Sequence, residues 1–501
     1  MGIAASALAS QLCCHLATEP AAVALVIVDA MIAVALVGVV VALITDDRDP
    51  STVLAWLFVI VLLPVLGVVL YFFIGRNFRR DSRSRRRVRQ SLEELVETSL
   101  TPVLEANAGF TAAAVAGLDG SAAGKIEAAG ESGTYLPPLP AETLDVYSAG
   151  AEKFPALLED MARAEVYIHL MYLIWKKDEL TAKVTEVLLE RLMAGVKVRI
   201  MYDWLTCILY SKKELRTLAA AGADVVPCYR SLTRINYRNH MKIALVDGKV
   251  VYTGGMNLGQ EYIDGGKRFK VWRDTHVRMT GPIVAPFISL FATRWLLNGR
   301  SEDLATGYMP EARAHAPGEG TPVQMLHSSV ATRNKAIRDA FIIALIAARE
   351  RVWIQSPYFV PDEPLITAMC VAARAGVDVR FMMTGVPDKR IPFYAAQAYF
   401  AQLVDAGVQV HMYMAGFLHA KTVIVDDQVC IIGTCNWDIR SIILHDEVAA
   451  VIYDTAITTR YAEQYELDLN DCRLVTASDV QGVSAATRLR NSVVRLFSRL
   501  L

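Results

Sequence analysis

Two stretches of the chain echo each other, NHMKIALVDGKVVYTGGMN at 239–257 and LHAKTVIVDDQVCIIGTCN at 418–436. Each contains H-x-K-x4-D: His240, Lys242 and Asp247 in the first, His419, Lys421 and Asp426 in the second. Each has a glycine 14 residues after the histidine (Gly254, Gly433) and an asparagine 17 after it (Asn257, Asn436). Two copies in one register point to a duplicated unit. On a strand, His-x-Lys puts both side chains on one face, about 6.6 Å apart. The apolar runs IALV and TVIV carry the strand into a core, and the aspartate falls at the turn into a returning strand. Asp247-Gly248 is a strong hairpin signal. Asp247 and Asp426 therefore have two readings, turn residue or part of the catalytic electrostatics.

The repeat extends outward. VYIHLMYLIW (166–175) and RVWIQSPYFVPDEP (351–364) open the two copies as buried strands. A helical pattern and then AGVKVRIMYD (194–203) or AGVDVRFMMTG (375–385) follow. Each copy passes another helix and an Ala-Gly turn, AAGADVVPCY (220–229) or DAGVQVHMYM (405–414), before reaching its motif. Alternating strand and helix patterns predict an α/β fold of two similar halves, 146–315 and 316–486.

Two histidines, two lysines and two asparagines suit phosphoryl-type transfer. Lysine and asparagine donors fit phosphate oxygens. One histidine can attack as nucleophile while the other protonates the leaving oxygen, the roles then reversing for an incoming hydroxyl. Lysines neutralising the developing charge remove the need for a metal or other cofactor. Each imidazole needs an acceptor on its far nitrogen, and Asp274 and Glu447 are the candidates.

The chain has 501 residues, 51 Lys+Arg against 52 Asp+Glu, and 53% hydrophobic residues. A mean hydropathy of +0.31 excludes disorder and points to membrane segments. The neutral balance argues against a nucleic-acid partner. Eight cysteines without a C-x-x-C pair read as reduced thiols rather than a zinc or disulfide framework. After an N-terminal segment (1–20), apolar runs at Ala21–Thr45 and Val53–Ile74 are each long enough to span a bilayer. Within 21–75 they predict a two-helix transmembrane hairpin, with Asp29 a functional candidate at mid-span. The loop between them is acidic, whereas arginines crowd 76–89. Positive-inside then places the remainder in the cytoplasm, as a multi-pass protein of the cell membrane. Residues 76–145, Arg-rich and then Ala/Gly/Pro-rich, read as a loosely packed connector. The basic, apolar tail 487–501 reads as an amphipathic helix, at the membrane interface or docked on the domain. Nothing in the sequence sets an oligomeric state.

These motifs resemble the phospholipase D superfamily, marked by a duplicated H-x-K-x4-D with G-[GS]-x-x-N downstream. Within it, INYRNHMKIALVDGKVVYTGGMN (235–257), WRDTHVRMTGP (272–282), SPYFVPDE (356–363), GFLHAK (416–421) and NWDIRS (436–441), with the apolar RDPSTVLAWLFVIVLLPVLGVVLYFFIGRN (48–77), look like bacterial cardiolipin synthases. The resemblance implies two α/β/α halves about a pseudo-two-fold axis with one site between them. It implies transfer of a phosphatidyl group between two phosphatidylglycerol molecules, releasing glycerol, with other membrane phospholipids as further partners. A phosphohistidine is implied on His240, with His419 as acid then base, although either histidine fits the attacking role. Lys242, Lys421, Asn257 and Asn436 would bind phosphate. Met241 stands where the family usually has Arg, and His445 where it has Asn. Tyr358, Phe359 and Trp437 are candidates for a lipid channel or for core. Hydrolysis to phosphatidic acid, or transfer to another alcohol acceptor, is the rival activity. A nuclease and a non-enzymatic membrane scaffold are the others.

Overall fold

The computed structural model describes residues 20–45, 50–75, 90, 96–134, 136–208, 212–231, 235–298, 308–330, 332 and 334–496. The arginine run at 76–89 and residues 497–501 lie outside them. The chain divides into two units, 1–80 with 231–236, and 81–230 with 237–501.

In the first unit a helix runs 25 residues over Pro20–Ile44. Several of its side chains, Asp29 among them, lie outside the description. The second apolar run is divided rather than continuous. It breaks at Leu63 (φ −132°, ψ 71°), separating helices Pro50–Leu62 and Pro64–Leu70, and ends in a π-turn at Tyr71–Gly75. Pro64 explains the break, because proline supplies no N–H and its ring clashes with the preceding turn. Among the described residues, no helix is long and apolar enough to cross a membrane.

The second unit holds two sheets of one design. In the first, parallel strands Tyr167–Tyr172, Lys197–Asp203 and Asp224–Cys228 stand beside the antiparallel hairpin Ile243–Val246/Val250–Gly254, then His276–Thr280 and Leu144–Tyr147. In the second, Arg351–Gln355, Asp378–Thr384 and Gln409–Tyr413 stand beside Thr422–Val425/Val429–Gly433, then His445–Ile452 and Thr321–Ser328. The repeated sequence has become a repeated strand order.

Strand alternation sorts the motif side chains into layers. Met241, Ile243 and Leu245 join Ala420, Ile424, Cys430 and Ile432 in one core shared by both sheets. Their neighbours Ala244 and Val246 face the helices of the first half, and Val423 and Val425 those of the second. Each motif strand is thus buried on both faces, which is why IALV and TVIV are apolar without alternation. Met241 belongs to the shared core, as its parity with Ile243 requires.

The expected loose connector is corrected. Helices at Thr101–Ala106, Ala108–Gly117 and Ala122–Thr134 occupy much of it, and Leu100, Val103, Ala123 and Ile126 are buried. Its small residues are contact surfaces rather than slack. A Cβ on Gly130 would come within 2.5 Å of Gln324 Oε1, and one on Gly133 within 2.9 Å of Ala336 Cβ. Strand Leu139–Ala141 pairs with Thr321–Val323 of the second half. Trp437, stacked on Phe341 at 4.8 Å, and Phe359 are fully buried core residues and do not line a channel. Tyr358 is partly buried and donates to Asp388 Oδ2 at 2.7 Å. The tail forms a helix over Ala485–Leu496. It docks on helix Arg390–Gln397 through Arg490 over the Tyr394 ring (3.8 Å) and Asn491 donating to Gln397.

Candidate active site

Short strands carry each histidine across to the opposite half. Arg238–Asn239 pairs in parallel with His445–Asp446, and His240 N–H donates to Asp446 O at 3.0 Å. The other half repeats the device: Phe417–Leu418 pairs with Trp272–Arg273, and His419 N–H donates to Arg273 O at 2.7 Å. This register brings each imidazole to a carboxylate of the other repeat. His240 Nδ1 lies 2.8 and 3.0 Å from the two oxygens of Glu447. His419 Nδ1 lies 2.7 Å from Asp274 Oδ2. The candidate acceptors thus meet the histidines in crossed pairs, each motif supplying the ring that the other half's acid holds.

The glycines after each motif make room for those acids. Gly254 has φ +140°, and a Cβ there would meet His276 Cα and Thr275 O at 2.6 Å. A Cβ on Gly255 would fall 1.9 Å from Asp274 Oδ1. In the second half Thr434 occupies the equivalent place and its hydroxyl donates to Glu447 Oε2. Thr434 N–H also donates to Val448 O at 2.9 Å. The longer glutamate thus pairs with a threonine, the shorter aspartate with a glycine. Sequence reasoning did not single out Thr434, although the Gly-Gly/Gly-Thr difference matched to Asp/Glu was readable.

Lys242 and Lys421 are buried, each donating to its own histidine's carbonyl oxygen. Burial pushes Lys242 down to about 7 and Lys421 to about 8. Both histidines are held neutral. Burial first, then Lys242, Lys421 and His419, takes His240 well below its ordinary value. Burial and Lys421 take His419 to about 4 against the pull of Asp274. That each motif's charges act on the other's histidine places both in one cluster. Two buried lysines beside two imidazoles, whose Nδ1 atoms face Glu447 and Asp274, form a donor set that suits a phosphate ester.

Asn257 is buried, its Oδ1 accepting from Ile174 N–H at 3.3 Å and its Nδ2 donating to the Tyr262 hydroxyl at 2.9 Å. Asn436 interacts with Asp438, and its buried Oδ1 has no hydrogen-bond partner. Trp272 and Phe417 pack about His419 with ring centroids 5.7 Å away. Tyr262 and Trp272 are further residues at the site that sequence reasoning did not find.

Asp247 and Asp426 are corrected. Five residues beyond the lysine is about 17 Å along a strand. The Asp247 carboxylate accepts the N–H groups of Glu165, Val166 and Tyr167 at 2.7–2.8 Å. Asp426 accepts those of Arg349, Glu350 and Arg351 at 2.9–3.3 Å. Both sit in left-handed conformation, φ 52° and 48°. They fasten the hairpin turn to the start of the neighbouring parallel strand.

Known proteins are similar to this chain. The family described as "Cardiolipin synthase, PLD-like domain" matches residues 157–268 and 341–469. A second, "Phospholipase_D-nuclease N-terminal", matches 32–76. Cardiolipin synthase 1 of Bacillus cereus is 32% identical over 95% of this chain and 94% of its own. The major cardiolipin synthase of Bacillus subtilis is 32% identical over 92% and 96%. The crystal structure of phosphatidylserine synthase from Haemophilus influenzae, 15% identical, superposes with a TM-score of 0.59 over 75% of this chain and 98% of its own, a likeness of fold. With relatives at this identity over almost its whole length, the chain belongs to the bacterial cardiolipin synthase family of the phospholipase D superfamily, a family of phosphatidyltransferases.

Proposed function

We propose that this chain joins two phosphatidylglycerol molecules into cardiolipin and glycerol through the crossed histidine pairs. The observation that carries the reading is the double pairing His240–Glu447 and His419–Asp274 beside two buried lysines. Glu447, accepting from Nδ1–H, leaves the Nε2 lone pair of His240 free to attack. The Nε2–P bond forms as the P–O bond to glycerol breaks, and His419 gives its Nε2 proton to the leaving oxygen. The substrate's own negative charge favours the protonated form of His419, which burial disfavours in the free site. A second phosphatidylglycerol then loses its hydroxyl proton to His419. Its oxygen attacks phosphorus, and the Nε2–P bond breaks. Lys242 and Lys421 would turn from the histidine carbonyls onto the phosphate oxygens, with Asn257 and Asn436 beside them.

We assign the N-terminal helices to anchorage in a bacterial cell membrane, as a multi-pass protein with the transferase on the cytoplasmic face. The apolar runs at 21–45 and 53–74 and the arginines at 76–89 support this. Such anchorage delivers lipid acceptors to the site.

The test is mass spectrometry of lipids after the purified chain meets phosphatidylglycerol alone in detergent micelles. Cardiolipin with one glycerol per product is the expected result. Phosphatidic acid in place of cardiolipin would replace this reading with hydrolysis.

A further inference from the structure

We propose that His240, His445 and Glu447 form a binding site for a borderline transition-metal ion, zinc in the first instance, and that the ion switches the site off. One ring nitrogen from each histidine and one Glu447 oxygen lie within 4.8 Å of one another. His240 Nδ1 is 2.8 Å and His445 Nδ1 is 3.6 Å from Glu447 Oε1. Ligand atoms on a tetrahedral zinc lie roughly 3.3 Å apart, so these two edges bracket the required size.

The second, independent observation is His445 itself. Both of its ring nitrogens are buried without a hydrogen-bond partner. The 3.6 Å separation is too long for a hydrogen bond to Glu447. Its ring lies 5.5 Å from that of His240. A partly buried imidazole whose two nitrogens are both shielded and unsatisfied carries a desolvation cost that a metal bond would remove. Two imidazoles and a carboxylate are a donor set suited to zinc, with a fourth position left open. Nothing in the proposed transfer uses His445, so the third ligand stands outside that chemistry.

Binding has a definite consequence. The ion takes the Nδ1 lone pair of His240, the ring's one proton passing to Nε2, and takes the Glu447 oxygen that had oriented the ring. A dication beside the nucleophile then replaces the hydrogen bond that readies it. Binding rests on geometry alone; inhibition rests also on the proposed role of His240.

The test uses the full chain in detergent, with zinc competed against a chromophoric chelator and, separately, with cobalt as a spectroscopic substitute. The wild type should take up one ion that His445→Asn does not, the affinity falling at least about tenfold. The cobalt form should show visible d–d bands without thiolate charge-transfer absorption, separating this site from the cysteines, and His445→Asn should lose them. Zinc should inhibit cardiolipin formation in the wild type, with relief by chelator and a midpoint about tenfold higher in His445→Asn. Equal metal uptake and spectra in the two proteins would overturn the site whatever the activity shows. Loss of metal binding without a change in zinc inhibition would overturn the switch. Should His445→Asn fail to fold, His445→Gln and the cobalt spectrum of the wild type alone carry the test, bands with cysteine character counting against it.

Discussion

At the residue scale the four aspartate and glutamate positions divide into two kinds. Asp274 and Glu447 hold imidazoles, whereas Asp247 and Asp426 hold backbone. Asp247→Ala should therefore lower stability by roughly 2–4 kcal/mol, since three N–H groups lose a charged acceptor. Cardiolipin formation at low temperature should survive within a few-fold. Thermal melting alongside initial rates checks this, and a normal melt with lost activity would contradict it. The lysines give a pH prediction. With folded values near 7 and 8 in place of about 10.5, their charge is lost as pH rises through that window. On the alkaline side kcat/KM for phosphatidylglycerol should therefore fall, with apparent values belonging to the coupled pair. A profile flat to pH 10 would refute the phosphate-binding role. His, Lys and Asn were legible because the duplication isolates them. Asp247 was ambiguous because a spacing repeated in both halves and a turn signal coincide there, and only the hydrogen-bond partners separate the readings.

At the element scale the site depends on two-residue strands that no periodicity announces. Arg238–Asn239 and Phe417–Leu418 are too short to carry a pattern, yet their pairing with the opposite half decides which acid meets which histidine. The sequence put Asp274 after the first asparagine and Glu447 after the second. It gave no signal that each acid serves the other repeat's histidine. The small-residue helix Ala122–Thr134 was hidden for a related reason, since alanine and glycine mark both flexible chain and close packing. Gly255→Ala tests the element-level account. Its Cβ would displace the Asp274 carboxylate and misplace His419. A loss of transfer on the order of 100-fold is expected, read as initial rate with folding checked by circular dichroism. Unchanged turnover would contradict the close approach.

For the whole molecule, the repeat predicted the architecture and the shared core explains it. Apolar residues of one parity from both motif hairpins close against each other, and those of the other parity take the helices. The membrane hairpin was read from two apolar runs, and the second proved to be divided at Pro64. Proline in lipid is tolerated when neighbours satisfy the freed carbonyl, so anchorage remains the proposal. The full-length chain should stay in the membrane pellet after alkaline carbonate washing. Release into the supernatant would count against it.

In the proposed reaction one histidine takes the phosphatidyl group while the other moves the proton, each ring held by a carboxylate of the opposite half. Rapid quenching with phosphorus-labelled phosphatidylglycerol, followed by peptide mapping, tests it most directly. Label on the peptide carrying His240, accumulating in His419→Ala and lost in His240→Ala, is the predicted result. Label on the His419 peptide in the wild type, or turnover without any labelled histidine, would contradict the account.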